Sequence, residues 1–128
     1  MTVELNHTLA PAPDKHAAAR FLADILGIRT GTPWGPFVPI PLTNGVSLDY
    51  VDSTDYRGQH FAFLVDDATF DAILGRIRAA GVPYWADPFH NEPAEINHLF
   101  GGRGLYFKDP AGHNMEILTR DAPASLTG

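Results

Sequence analysis

A chain of 128 residues with an apolar fraction of 45% is long enough to bury one core. Fifteen acidic against nine basic residues give a formal charge of −6, and no basic run occurs, which excludes the electrostatic footprint of nucleic-acid binding. There is no cysteine, so disulfides and thiolate metal sites are excluded, and any metal needs nitrogen and oxygen donors.

The N-terminus, Met1-Thr2-Val3-Glu4, has no basic region followed by an apolar run, and no apolar stretch approaches the roughly 20 residues of a membrane helix. A cytoplasmic protein without membrane partners is the expectation. Val3 to Ala10 reads as a strand with Val3, Leu5, His7 and Leu9 on one face, stopped by Pro11 and Pro13. Asp14 is a good N-cap for a helix whose apolar face is Ala18, Phe21, Leu22 and Ile25, and Gly27 ends it. Arg29 to Pro41 is proline-rich, which predicts a loop leading at best into an edge strand. Asn44-Gly45 signals a hairpin turn, with Val46 to Val51 as the returning strand and Ser53 to Gly58 as a polar loop.

Gln59 to Asp67 repeats the opening plan. His60, Ala62 and Leu64 face one way and Phe61, Phe63 and Val65 the other; Asp66 or Asp67 then caps a helix with Phe70, Ile73, Leu74 and Ile77 on its apolar face, ended by Gly81. Pro83 to Ala86 predicts a short strand, Asp87 to Gly102 a long polar loop, and Gly104 to Lys108 another strand. Asp109-Pro110-Ala111-Gly112 has turn chemistry, His113 to Thr119 is the last strand, and the tail after Asp121 is expected to fray.

The two histidines, the helix-ending glycines with a β-branched residue after each (Ile28, Val82), and the tryptophans Trp34 and Trp85 recur at nearly matched offsets. These matches predict an internal duplication of a strand–helix–strand–strand unit, with a further short strand allowed. The helices would cover the outer side of a curved mixed sheet and leave its other side as a cleft, in an α+β fold. We expect a single domain, with module one at about 3–57 and module two at about 58–120.

His7 and His60 begin the matching strands of the two modules, and Glu116 lies on the last strand. Two imidazoles and a carboxylate suit one divalent ion, Fe(II), Mn(II), Zn(II), Ni(II) or Co(II), with positions left for substrate. His98 is the loop histidine best placed for acid–base chemistry, because Gly101 and Gly102 free its loop to fold over the cleft. A bulge at Gly112 would pair Tyr106 with Glu116, giving the metal-bound group a hydroxyl donor. Trp34, Phe37, Trp85 and Phe89 are expected to wall the pocket. His16 reads as solvated, His113 as the start of a strand, and Asp49 and Asp52 as carboxylates without a strong case.

Leu5-Asn6-His7, Gln59-His60-Phe61-Ala62-Phe63 and, most specifically, Gly104-Leu105-Tyr106-Phe107-Lys108-Asp109-Pro110-Ala111-Gly112-His113-Asn114-Met115-Glu116 resemble the vicinal oxygen chelate superfamily. That group includes glyoxalase I, extradiol dioxygenases, fosfomycin-resistance transferases and bleomycin-resistance proteins. The resemblance spans Leu5 to Thr119 and implies two tandem βαβββ modules, a metal on His7, His60 and Glu116, and a homodimer in which the modules building a site can come from different chains. Glyoxalase I-like members add a glutamate where Ser47 stands here, which counts against that activity. Fosfomycin enzymes carry a threonine where Leu9 stands, and bleomycin-binding members lack the triad. Extradiol dioxygenases match the triad, Tyr106 and a histidine near Asn97-His98. The resemblance therefore implies a metal-dependent enzyme acting on vicinal oxygens of a small organic substrate, with dioxygenase-like chemistry favoured over lyase, isomerase or transferase chemistry. The alternative is a non-catalytic sequestering protein for an aromatic or cationic small molecule.

Overall fold

The computed structural model describes residues 1–123. The chain divides into two compact units. Unit 1 is Met1–Gln59 with the turn residues Asp109–Ala111, and unit 2 is His60–Lys108 with the described residues from Gly112. The fold is α+β, and each unit carries its own mixed sheet. Among the described residues no helix is long and apolar enough to cross a membrane.

Unit 1 contains β1 (His7–Ala12), α1 (Lys15–Leu26), β2 (Phe37–Pro41) and β3 (Ser47–Asp52). The sheet order is β1-β3-β2, with β1 parallel and β2 antiparallel to β3. The first strand lies further along the chain than the expected Val3–Ala10. A strand exists where it has a partner, and β3 offers one only from His7 onward. Pro11 does not stop it, because β1 is an edge strand whose second side needs no donor. Pro39 and Pro41 sit on the other edge strand for the same reason.

Asp14 caps α1 by accepting from the backbone N–H groups of His16 and Ala17. The helix buries Ala18, Ala19, Leu22, Ala23, Ile25 and Leu26. Phe21, expected on the buried face, is only half-buried. Opposite them, Ala10, Ala12, Val38, Ile40, Leu48 and Tyr50 are the buried apolar sheet residues of unit 1.

Unit 2 contains β4 (His60–Leu64), α2 (Asp67–Ala79), β5 (Tyr84–Trp85), a 3-10 turn at Leu99–Gly101, β6 (Gly104–Lys108) and β7 (Asn114–Leu118). Its sheet order is β4-β7-β6-β5, with β4 parallel to β7 and the other pairs antiparallel. Asp66 is the N-cap, and accepting from Thr69 holds its carboxyl below the usual range. Phe70, Ile73, Leu74 and Ile77 are buried as their spacing predicts. The two helices end alike. Gly27 and Gly81 take left-handed φ of 75° and 66°, and the next residue, Ile28 or Val82, donates back to Ala23 or Ile77. The expectation of a frayed tail after Asp121 falls mostly on residues 124–128, which lie outside the described residues.

Within unit 1 the buried Tyr50 hydroxyl donates to Asp109 Oδ2 at 2.5 Å, while Asp109 Oδ1 accepts from the Ala111 N–H and Tyr56 donates to the Ala111 carbonyl. Burial, then the carboxylate beside it, pushes the Tyr50 hydroxyl above its usual range. The folded state therefore holds this proton more tightly than the unfolded chain does. The resulting stability is full below the ordinary tyrosine value of about 10 and is lost as pH rises above it. Tyr50→Phe should cost about 1–3 kcal/mol at neutral pH by leaving Asp109 one hydrogen bond short. Urea midpoints measured across pH should also fall less steeply above about pH 10 in the variant than in the parent. Equal midpoints at neutral pH would show that this bond contributes nothing.

Candidate functional site

Side chains alternate across a sheet, so the pairing registers determine what meets on the face of unit 2 opposite its core. Ala62 pairs with Glu116, Glu116 with Tyr106, and Tyr106 with Trp85, which makes one row across all four strands. His60, Asn114 and Lys108 make the next row. Tyr106 comes opposite Glu116 as expected, with Gly112 at a left-handed φ of 85° in the connecting turn.

His60 Nε2 lies 2.9 Å from Glu116 Oε1, and the His60 ring meets Tyr106 edge-on at 5.8 Å. The His60 side chain is about half exposed (48%), whereas that of Glu116 is 13% exposed. Burial, then the charge of Glu116 and a hydrogen bond to it, pushes the Tyr106 hydroxyl up to about 12. Tyr106 therefore remains a protonated donor throughout the physiological range. One imidazole nitrogen, one carboxylate oxygen and one phenol hydrogen converge on this face.

The loop from Asp87 to Gly102 is more ordered than its polar composition implies. Asp87 Oδ1 accepts from the N–H groups of Asn91 and Glu92 at 2.8 Å each. Asn97 pairs with Gly104 and donates to the Ala86 carbonyl; a Cβ at Gly104 would sit 2.7 Å from Asn97 Oδ1, so only glycine admits this approach. His98 follows, exposed, at the start of the 3-10 turn. His90 is the loop histidine tied to the sheet. Its ring stacks on Trp85 at 3.9 Å, and its Nε2 lies 2.9 Å from Asn114 Oδ1. Sequence reasoning passed over His90. Its signal was the Asp87-Pro88 turn ahead of it, which brings the chain back over β5.

Unit 1 repeats the register with other residues. His7 pairs with Ser47 and Leu9 with Asp49, as His60 pairs with Asn114 and Ala62 with Glu116. Asp49, not Ser47, is thus the positional counterpart of Glu116. It is 3% exposed and accepts from Ser47 Oγ at 2.6 Å. Setting Leu48-Asp49-Tyr50 beside Met115-Glu116-Ile117 would have found it in the sequence. The exposed His7 has its Nδ1 2.8 Å from Asn6 Oδ1, an arrangement that keeps the proton on Nδ1 and the lone pair on Nε2.

Trp34 (58% exposed) and Phe37 contact each other in unit 1, with ring centroids 4.9 Å apart. Trp85 belongs to the unit 2 row, and Phe89 is 82% exposed. His113 is fully buried, edge-on to Phe61. Among the described residues no three His, Asp or Glu side chains are gathered as a ready metal site. The donors present are nevertheless of the kind a divalent ion takes: His60 and Glu116 converge within a hydrogen-bond length, and His7 is held in the tautomer that leaves Nε2 available.

Residues 4–117 match the family model described as Glyoxalase/Bleomycin resistance protein/Dioxygenase superfamily. The solved structure of Oxidase ChaP-H2 is similar with a TM-score of 0.92 and 61% identity, covering 94% of this chain and 96% of that one. Oxidase ChaP-H1 is similar with a TM-score of 0.91 and 55% identity, covering 94% and 98%. Glutathione transferase FosA of Serratia marcescens is 25% identical, covering 98% of this chain and 87% of that protein. With the registers and the family match in agreement, the chain belongs to the glyoxalase/bleomycin resistance/dioxygenase superfamily.

Proposed function

We propose that this protein is a divalent-metal-dependent oxidoreductase that binds a small organic molecule through two adjacent oxygens, with dioxygenase-like chemistry. The observation that carries the reading is the convergence of His60 Nε2 and Glu116 Oε1 at 2.9 Å, beside a tyrosine hydroxyl that shares the same carboxylate. Its similarity to two proteins named oxidases, at 61% and 55% identity, supports redox chemistry over isomerase or transferase chemistry.

His60 and Glu116 would hold a divalent ion on unit 2, and His7 is a further candidate donor, with a homodimer as one way to supply it. Asp49 would be a further donor, through a carboxylate oxygen, because it stands to His7 as Glu116 stands to His60. A bound divalent ion supplies Lewis acidity toward two vicinal oxygens. Tyr106 donates a hydrogen bond to a substrate oxygen, and its high pKa keeps that proton in place. Proton transfer is assigned to the loop after β5, which carries His90 and His98. Trp34, Phe37, Trp85 and Phe89 supply apolar surface to the organic part of the substrate.

Protein purified without chelator or affinity tag should hold near-stoichiometric iron, manganese, zinc, nickel or cobalt by mass spectrometry. Glu116→Ala and His60→Ala should each lose most of it. A wild-type protein that neither holds nor takes up any of these metals would return the reading to a sequestering protein for an aromatic or cationic molecule. Tyr106→Phe should keep its metal and lose about 10²-fold in oxygen uptake with a catechol probe. An unchanged rate would remove Tyr106 from the chemistry.

A further inference from the structure

We propose that His90 is the proton acceptor on the unit 2 face, with Nδ1 as the accepting atom, a role that rests on the oxidoreductase reading above. The argument begins with the Asn114 amide. Its Nδ2 donates to the Pro88 carbonyl at 3.2 Å. A backbone carbonyl can only accept, so the amide is oriented with Oδ1 toward His90. Oδ1 can also only accept, so His90 Nε2, 2.9 Å away, carries the proton. The neutral ring therefore presents a bare lone pair at Nδ1.

The surroundings also suit the ring after it has taken a proton. Removing a proton from a substrate hydroxyl breaks that O–H bond and forms Nδ1–H, leaving an oxyanion on the substrate and an imidazolium at His90. Asn114 Oδ1 accepts from Nε2–H equally well in both states. The Trp85 ring lies 3.9 Å away and 13° from parallel, and its π face stabilises a cation stacked on it. The carboxylates of Asp87 and Glu92 belong to the same loop, Tyr106 and Lys108 stand on β6, and Glu116 stands two residues beyond Asn114 on β7.

The backbone is consistent with a role beyond packing. His90 has φ 61°, and the three described non-glycine residues with positive φ, His90, Ala94 and Phe100, all lie in this one loop. Such conformations cost free energy and persist where the surroundings hold them, most often at functional sites. Here the hydrogen bonds to Asp87, the stack on Trp85 and the bond to Asn114 do the holding. His98 has the same imidazole chemistry, but its ring is exposed at the tip of the 3-10 turn.

Two measurements on the full chain test this. The first is long-range ¹H–¹⁵N correlation of the histidine rings in metal-free protein above about pH 8, past the reference histidine value of about 6.5. His90 should show a single Nε2–H tautomer, retained in Asn114→Asp, which keeps an acceptor, and mixed in Asn114→Leu. An Nδ1–H tautomer or a mixture in the wild type overturns the proposal. The second uses 4-nitrocatechol, whose absorption reports how many protons it carries, added to metal-loaded protein at neutral pH. Wild type should bind it fully deprotonated, and His90→Gln should bind it with one proton retained. Identical bound spectra in wild type and His90→Gln would remove His90 alone. A metal-loaded wild type that takes up no 4-nitrocatechol would overturn the functional reading and this proposal with it.

Discussion

Parallel pairing between the first and last strands of each unit is the constraint from which the rest of the site follows. A parallel pair cannot be closed by a tight turn, so the chain must cross over through a helix, and α1 and α2 are those crossovers. In unit 2 the pairing brings His60, at the start of β4, beside Glu116, which is 56 residues away in the chain. A shift of one residue in register would turn Glu116, Tyr106 and Trp85 into the core and expose Met115, Phe107 and Tyr84. The burial of those apolar residues thus also fixes which polar groups share the opposite face.

The same register in both units shows where the two differ. Where unit 2 has the row Ala62, Glu116, Tyr106, unit 1 has Leu9, Asp49, Pro39. A carboxylate survives in both, but proline replaces the phenol in unit 1. Asp49 is buried and bonded to Ser47, while Glu116 engages His60 and Tyr106. A phenol donor beside a hydrogen-bonded histidine–carboxylate pair is accordingly a property of unit 2 among the described residues. The turn Asp109–Ala111, which clusters with unit 1, connects the two strands that carry Tyr106 and Glu116.

The loop after β5 adds the least regular part of the site. Isolated backbone pairings of Trp85 with Pro93 and of Asn97 with Gly104 hold part of it, and side chains hold the rest: Asp87 caps its first turn, Asn97 donates to the Ala86 carbonyl, and His90 is clasped between Trp85 and Asn114. Loops positioned by a rigid sheet are where chemistry concentrates, because their backbone is free to take conformations that strands and helices forbid.

Much of the fold was legible in the sequence because its signals are local. Asp14 and Asp66 as caps, Gly27 and Gly81 past the helix ends, the apolar face Phe70–Ile73–Leu74–Ile77, strand Gly104–Lys108 and the Tyr106–Glu116 pairing all follow from spacing and from the preferences of single residues. What the tertiary structure decided was set by partners distant in the chain. β1 begins at His7 rather than Val3 and runs through Pro11, because β3 defines the paired stretch and an edge strand tolerates a missing donor. The matching parallel registers of the two units make Asp49, rather than Ser47, the counterpart of Glu116. His90 gained its place from an amide on β7, 24 residues away in the chain, as well as from the nearby indole on β5. Periodicity and capping are read within a few residues of chain, whereas register and side-chain clasping depend on which distant segments the folded chain brings together.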